Sequence, residues 1–180
     1  FSLVFVRKSG EPYSVSFDEP GYNSVTGNSR FYADYALAYV PTGASDPNVS
    51  FTSASVAEAV MAHVNGTGLK GYKGTYAPRN AFNSPWYSRL DLRITQDINV
   101  FKDHKVIVYL DLLNLLNMID DDKGIVKEYS YNNSRQIIVD GVTSDGKFII
   151  KGVDPDDNLW IQNGDGQSAW NINLGFKYQF

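Results

Sequence analysis

The stretch that decides the fold is the end of the sequence, Trp170-Asn171-Ile172-Asn173-Leu174-Gly175-Phe176-Lys177-Tyr178-Gln179-Phe180. Large apolar side chains occupy every even position, and polar or small residues occupy every odd position. This strict alternation predicts a β-strand with one apolar face and one polar face. Its length matches the roughly 9–11 residues that a tilted strand needs to cross a bilayer.

Two further runs, Trp86–Phe101 and Lys105–Leu115, alternate less strictly, since Gln96 interrupts the apolar face of the first and the second has a mixed opposite face. Only Lys102-Asp103-His104 separates them, so an antiparallel hairpin is expected. The opposite sides of these runs carry several charged residues, and a water-filled lumen tolerates such a face because Arg and Asp can pair across strands. The predicted lumen-facing residues are Arg89, Asp91, Arg93, Asp97 and Asp111.

The segment Phe1–Phe17 keeps its apolar residues at odd positions on both sides of an interruption, which predicts one long, bent strand. Pro12 would then need a bulge or an unpaired position. The connection Asp18–Pro85 contains one helical stretch, Ser55–Val64, with Ser53 or Ser55 as N-cap, Glu58 completing a capping box with Ser55, and Gly66 at the end. The connection Met118–Ser168 contains a small hairpin formed by Arg135–Val142 and Lys147–Lys151.

Composition narrows the functional class. The formal net charge of -4, without clustered Lys and Arg, argues against a nucleic-acid partner. The sequence has no Cys, and its two histidines, His63 and His104, lack spaced metal-ligand partners. Because no catalytic constellation is present, the prediction is a protein that is not an enzyme and has no cofactor.

Two acidic clusters and one set of tyrosines remain as weaker candidates. Asp154, Asp156 and Asn158 have the spacing of a calcium loop but lack its Gly and distal Glu, so an acidic surface turn is favoured. Asp120-Asp121-Asp122 is predicted to be a solvated turn. Tyrosines of the first connection could face a ligand or pack the loop on itself, and the pattern does not separate these alternatives: Tyr32, Tyr35, Tyr39, Tyr72 and Tyr76.

Several segments resemble TonB-dependent outer-membrane receptors. Arg79–Trp86 followed by Leu90–Ile94 is similar to the entry of a late barrel strand, and Asp111–Asn117 resembles the Asp-x-x-Asn-hydrophobic-hydrophobic-Asn stretch of the next strand. Ser9–Tyr13 resembles a segment of an earlier strand. Phe176, Tyr178 and Phe180 resemble the terminal signal of outer-membrane proteins. The order and spacing are most similar to the Oar-like subgroup.

The resemblance implies a specific fold and function. Residues 1–180 would be the last four strands of a 22-stranded transmembrane β-barrel, all-β and antiparallel, with long extracellular loops and with the plug and N-terminal regions outside this chain. The protein would be an outer-membrane receptor or transporter of a Gram-negative bacterium, moving an unidentified substrate, for which the subgroup suggests a peptide or protein. Its partners would be membrane lipid, the barrel assembly machinery and, through its N-terminal parts, the TonB complex.

The alternative from another class is a soluble all-β module that binds carbohydrate or peptide. Aromatic-rich loops on a sandwich would give a similar composition. Such a module needs an opposing sheet that covers the apolar face of Trp170–Phe180.

Overall fold

The computed structural model describes residues 1–18, 36–130, 133–156, 159–162 and 166–180. Strands contain 50% of the residues and helices 16%, which confirms the mostly β character predicted from the sequence. The chain forms two compact units. Unit 1 contains Phe1–Gly10, Pro85–Glu128 and Ile161–Phe180; unit 2 contains Glu11–Ser84 and Tyr129–Trp160.

The described elements in chain order are β1 (Ser2–Lys8), β2 (Pro12–Asp18), β3 (Val49–Phe51), α1 (Ala54–Gly66), a 3-10 helix (Gly68–Tyr72), β4 (Phe82–Asn83), β5 (Tyr87–Phe101), β6 (His104–Leu113), α2 (Leu115–Ile119), β7 (Lys127–Tyr129), β8 (Asn133–Val142), β9 (Phe148–Val153), β10 (Leu159–Ile161) and β11 (Asn171–Gln179). They form three sheets within the described ranges, the smallest being the pair β7 and β10.

Unit 1 is built on a four-stranded sheet in the order β1-β5-β6-β11, in which every neighbouring pair is antiparallel. The predicted hairpin is therefore confirmed, but His104 already belongs to β6, and Lys102 turns the chain with a φ of 49°. The run predicted to reach Leu115 ends at Leu113, because Asn114 adopts a left-handed conformation and α2 follows.

The register of this sheet collects the apolar side chains on one side. Leu110 lies opposite Ile94 on β5 and opposite Leu174 on β11. This surface, the apolar face, is most exposed on β11, where Leu174 is 75% exposed and Phe176 is 79% exposed, and its residues on β6 are half-buried. The apolar face comprises Leu3, Phe5, Leu90, Leu92, Ile94, Ile98, Val106, Val108, Leu110, Leu112, Ile172, Leu174, Phe176 and Tyr178.

Unit 2 has a different construction. Its five-stranded sheet has the order β3-β9-β8-β2-β4, and α1 lies against β9. The pairs β2–β8 and β3–β9 are parallel, a correction to the antiparallel arrangement predicted for the whole chain. The core is a continuous apolar cluster: Val15, Phe17, Ala38, Tyr39, Val40, Val49, Val60, Val64, Leu69, Ala77, Ile137, Val139 and Ile150. The two long connections are therefore more than loops.

The helix and the hairpin predicted inside those connections are confirmed. Ser53 is the N-cap of α1, and its hydroxyl accepts a hydrogen bond from the Val56 amide at 3.2 Å. The predicted capping box of Ser55 and Glu58 is wrong because the helix begins two residues earlier. β8 and β9 form the predicted antiparallel hairpin, closed where the Gly146 amide donates to the Thr143 carbonyl.

The single bent strand predicted for Phe1–Phe17 is also wrong. β1 pairs with β5 in unit 1, whereas β2 pairs with β8 and β4 in unit 2. Pro12 is the first residue of β2, a position that tolerates its missing amide hydrogen, so the bulge that a continuous strand would have needed is unnecessary.

Candidate functional site

The predicted charged residues meet on the sheet surface opposite the apolar face, here called the polar face. Arg89, Asp91, Arg93 and Asp97 alternate along β5, and Asp111 lies directly across from Arg93 on β6. Because side chains alternate along a strand, all five project to the same side. The structure thus brings the predicted set together on one surface.

The central pair of the polar face is Arg93 with Asp111. Arg93 Nε donates to Asp111 Oδ1 at 2.5 Å, and Arg93 Nη2 donates to Asp111 Oδ2 at 2.7 Å. The guanidinium also lies 5.3 Å from the ring centroid of Tyr109, two residues along β6. This bidentate geometry orients both groups and ties β5 to β6.

The remaining carboxylates of β5 also have cationic partners. Arg89 Nε contacts Asp91 at 2.8 Å, and Lys105 Nζ contacts Asp97 at 2.5 Å. Asp91 additionally accepts a hydrogen bond from the backbone amide of Asn114 at 2.8 Å. Since each of these carboxylates is paired with a cation, the polar face presents a row of neutralised charges, an arrangement suited to a water-exposed wall.

Tyr109 occupies a space that only glycine leaves open. It lies opposite Gly175 on the neighbouring strand β11, and a Cβ built at Gly175 would collide with the Tyr109 ring. The aromatic ring therefore covers the glycine backbone across the strand pair, which compensates for a residue that otherwise weakens a strand. This explains why a small residue stands among the odd positions of Trp170–Phe180.

Asn114 is a structural centre that the motif Asp111–Asn117 contains but that the alternation pattern missed. It is fully buried with a φ of 55°, and its Nδ2 donates to the Gly124 carbonyl at 2.8 Å. Asn117 Nδ2 donates to the carbonyl of Lys123 at 2.9 Å. These bonds fasten the turn after α2 to the end of β6. The available sequence signal was the Asn-x-x-Asn spacing followed by Gly124.

The acidic clusters behave as turns. Asp120, Asp121 and Asp122 place their carboxylates within 4.8 Å of one another, and Lys123 Nζ contacts Asp120 at 2.9 Å. The hydrogen bond from Lys123, helped by the Asp122 amide, lowers the pKa of Asp120. In the second cluster, Asp154 Oδ1 accepts from the Asp156 amide at 3.3 Å, while Asn158 lies outside the described residues.

The tyrosine candidates separate into different environments. Tyr39 is a core residue whose hydroxyl donates to Asp46 at 3.2 Å and accepts from Asn48 Nδ2 at 2.9 Å. It therefore packs the loop on itself, one of the two alternatives that the sequence left open. Tyr72 is partly buried with its ring 5.9 Å from Phe82, and Tyr76 is exposed. Tyr32 and Tyr35 lie outside the described residues.

The Asp46 carboxylate accepts hydrogen bonds from Tyr39, Thr42 and Asn48, and it thereby connects both ends of the loop between Tyr39 and Asn48. Burial favours the neutral carboxyl, but hydrogen bonds from the amides of Thr42 and Asn48 and from two hydroxyls outweigh it and lower the pKa of Asp46. The Thr42 amide and hydroxyl contact the carboxylate at 2.7 Å and 2.8 Å. This buried carboxylate thus replaces regular secondary structure in stabilising the loop.

Aromatic side chains bound the apolar face at both ends of the sheet. Near the β5–β6 turn, His104 stacks on Tyr178 with ring centroids 5.6 Å apart, and its Nδ1 lies 2.5 Å from the Tyr178 hydroxyl. Phe180 continues this row, 6.4 Å from Tyr178. Trp86, with Arg7 over its ring at 5.8 Å, and Trp170 occupy the other end. Of the predicted assembly residues, Tyr178 and Phe180 therefore belong to one aromatic border, whereas Phe176 lies within the apolar face opposite Val108.

Unit 1 also contains a cavity of about 500 Å³ at the Trp86 end of its sheet. Its lining combines aromatic residues of β1 and β5 with the turn that Asn114 holds: Phe5, Trp86, Tyr87, Leu116, Lys123 and Lys127. The cavity is open and amphipathic, as expected where an apolar surface meets a polar one.

Comparisons with protein-family models, curated proteins and solved structures give no match. Among the described residues, no helix is both long enough and apolar enough to cross a membrane.

Proposed function

We propose that this chain forms part of the wall of an outer-membrane β-barrel, the C-terminal strands of a TonB-dependent receptor or transporter. The observation that carries the proposal is the broad apolar face of unit 1, which only Gln96 interrupts, which is most exposed on β11, and which is bordered by aromatic residues. Lipid-facing surfaces of transmembrane barrels have this composition, an apolar band between two aromatic girdles.

The dimensions of the sheet support the proposal. β11 has nine residues and β6 has ten. At about 3.3 Å per residue and a tilt of roughly 35–45°, such strands cover about 21–27 Å along the membrane normal. The apolar band of outer-membrane barrels is about 25 Å tall, so both strands have the required length.

The opposite surface supports the same function. A barrel lumen is polar, and the paired charges of the polar face, Arg93 with Asp111 above all, are compatible with water on that side. The soluble alternative requires a covering layer over the apolar face, yet Leu174 and Phe176 are among the most exposed apolar side chains in the described residues.

In this proposal the chain ends and connections have separate roles. The β5–β6 turn and Phe180 lie at the periplasmic side, and both long connections lie outside the cell, where barrel loops are long. Phe176, Tyr178 and Phe180 serve recognition by the barrel assembly machinery. The TonB complex acts through N-terminal parts, and the two long connections help form the outer vestibule, where an unidentified substrate, a peptide or protein, enters.

The test is insertion of the full polypeptide into the outer membrane of cells that produce it. Leu174→Arg places a charge at the middle of the apolar face and costs about 2–4 kcal/mol in a bilayer, so little protein should reach the washed outer-membrane fraction. Asn173→Arg, on the polar face of the same strand, is the matched control and should insert normally.

A second variant tests the assembly role. Removal of Phe180 should reduce insertion while leaving synthesis unchanged. Equal insertion of Leu174→Arg and Asn173→Arg would refute the lipid-facing assignment, and normal insertion without Phe180 would refute the terminal signal alone.

A further inference from the structure

Unit 2 contains a cavity of about 210 Å³ that belongs to none of the sites described above. Its walls come from β2, α1, the 3-10 helix, β4, β7, β8 and the segment after β9, and the buried side chains of Val15 and Leu69 belong to its lining. Complete small-molecule pockets hold roughly 300–1,000 Å³, so this cavity has room for one side chain of a larger ligand.

Aromatic rings form one side of the cavity. The ring centroid of Tyr13 is 4.2 Å from that of Tyr129 and 5.7 Å from that of Phe82. Burial, together with the neighbouring Tyr129, raises the pKa of Tyr13 to about 12. Both phenols are therefore neutral at physiological pH, and the rings offer uncharged π-faces.

The polar side chains of the cavity wall are hydrogen-bonded to one another. Gln136 is 5% exposed, and its Oε1 is 2.9 Å from His63 Nε2. The Tyr129 hydroxyl donates to the Pro155 carbonyl at 3.1 Å, and hydrogen bonds with Tyr13 and Gln136 also act on this phenol. The carboxylate of Asp156 lies at the exposed rim.

The cavity lining has one acidic side chain and no Lys or Arg among the described residues. The acidic side chain is that of Asp156. The lining also contains His63, whose Nε2 is engaged with Gln136 Oε1 at 2.9 Å. A cation would find the Asp156 carboxylate and aromatic faces, the combination that attracts ammonium and guanidinium groups.

We propose that this cavity binds a cationic side chain, the ammonium of a lysine or the guanidinium of an arginine, presented by a peptide or protein. Asp156 pairs with the charge at the rim, while Tyr13, Phe82 and Tyr129 contact the aliphatic stem and the cation. All these residues belong to unit 2, so the proposal does not depend on the membrane assignment of unit 1.

The test measures binding of small probes to the full chain by saturation-transfer NMR. Nα-acetyl-lysine amide and Nα-acetyl-arginine amide should bind, and Nα-acetyl-norleucine amide, which has the lysine stem without its charge, should bind at least about tenfold more weakly. Asp156→Asn should weaken binding of the lysine probe by about tenfold. Phe82→Leu should weaken it several-fold.

The matched control is Asp145→Asn, which removes the same charge from the β8–β9 turn, a position outside the cavity lining. It should leave probe binding unchanged. Equal losses in both aspartate variants would overturn the proposal in favour of general charge attraction. The proposal would also be overturned if neither cationic probe showed saturation transfer. The same holds if Nα-acetyl-norleucine amide or a methyl glucoside bound as tightly as the lysine probe.

Discussion

Unit 1 and unit 2 are both built on β-sheets, but unit 2 buries apolar side chains in a core, whereas unit 1 leaves many of them exposed to solvent. In unit 2, α1 lies against β9, and the core cluster is almost inaccessible, with Ile137, Val139 and Ile150 at 0% exposure. In unit 1, the strands alternate more regularly, but Leu174 and Phe176 remain exposed. Regular alternation therefore defines two faces of a sheet without determining what covers the apolar one.

The two units also differ in the interactions that stabilise each of them. Side-chain packing holds unit 2, with Phe17 and Tyr39 both against Phe148. Polar contacts hold the polar face of unit 1, through Arg93 with Asp111 and through Asn114 with Gly124. This contrast predicts different responses to similar substitutions.

The largest expected difference is between two truncations of aliphatic side chains. Ile150→Ala leaves a cavity in a closely packed core and should reduce the free energy of unfolding of unit 2 by about 2–5 kcal/mol. Leu174→Ala should cost less than about 1 kcal/mol, because Leu174 is 75% exposed and its truncation leaves no cavity in a packed core. Hydrogen exchange of the strand amides in each unit measures both effects, and equal losses would contradict the contrast.

A second comparison uses two glycines with left-handed backbones. Gly124 has a φ of 63°, and a Cβ there would collide with the Asn114 side chain. Gly124→Ala should therefore cost about 2–3 kcal/mol through backbone strain and crowding. Gly146, with a φ of 87° and open space around it, is the control, and its alanine variant should cost about 1–2 kcal/mol. Chemical denaturation midpoints should rank the variants in this order.

The buried carboxylate of unit 2 gives a pH-dependent comparison. Because the pKa of Asp46 is lower in the folded protein, its stabilisation is present above the ordinary value of 3.8 and is lost as pH falls through the folded value. Asp46→Asn should cost about 1–2 kcal/mol at neutral pH, and this cost should shrink as pH falls below 3.8. Denaturation midpoints of both chains at a series of pH values from about 7 to about 2 check this, and a cost that does not change with pH would argue against the carboxylate.

The smallest effect is expected at alkaline pH. The pKa of Tyr13 is raised to about 12, so its contribution to stability is complete below 10.0 and is lost as pH rises through the folded value. The Tyr13→Phe variant should lose part of the alkaline decline in stability that the unmodified chain shows. Absorbance titration of the phenols, with denaturation midpoints at about pH 9 and about pH 11.5, measures this. Identical alkaline profiles would exclude the contribution of Tyr13.

Much of unit 1 could be predicted from the sequence because each of its long strands carries its own signal. Alternation located β5, β6 and β11 within two residues of their ends, and it placed Arg93 and Asp111 on one face. The helix and the hairpin of unit 2 were also predicted from local signals. The helix has an N-cap before a helical stretch, and the hairpin has a Thr-Ser-Asp-Gly turn between two strand-like runs.

Apart from the capping box and the end of β6, the errors involve contacts between residues distant in the chain. Shared parity across Phe1–Phe17 did not reveal that β1 and β2 join different sheets, because pairing depends on partners many residues away. The parallel pairing of β2 with β8 left no local signal. The cavity around Gln136 was also missed, since its lining comes from segments that lie far apart in the chain.

The sequence by itself determined where strands form, which side of each is apolar, and where the chain turns, because side-chain alternation and turn chemistry act over a few residues. Only the tertiary structure decided that the connections enclose a second core, that Asn114 fastens a turn to a strand end, and that Asp156 meets aromatic rings at a cavity. Those outcomes depend on long-range pairing, whose cost in chain entropy is repaid only when distant surfaces fit together.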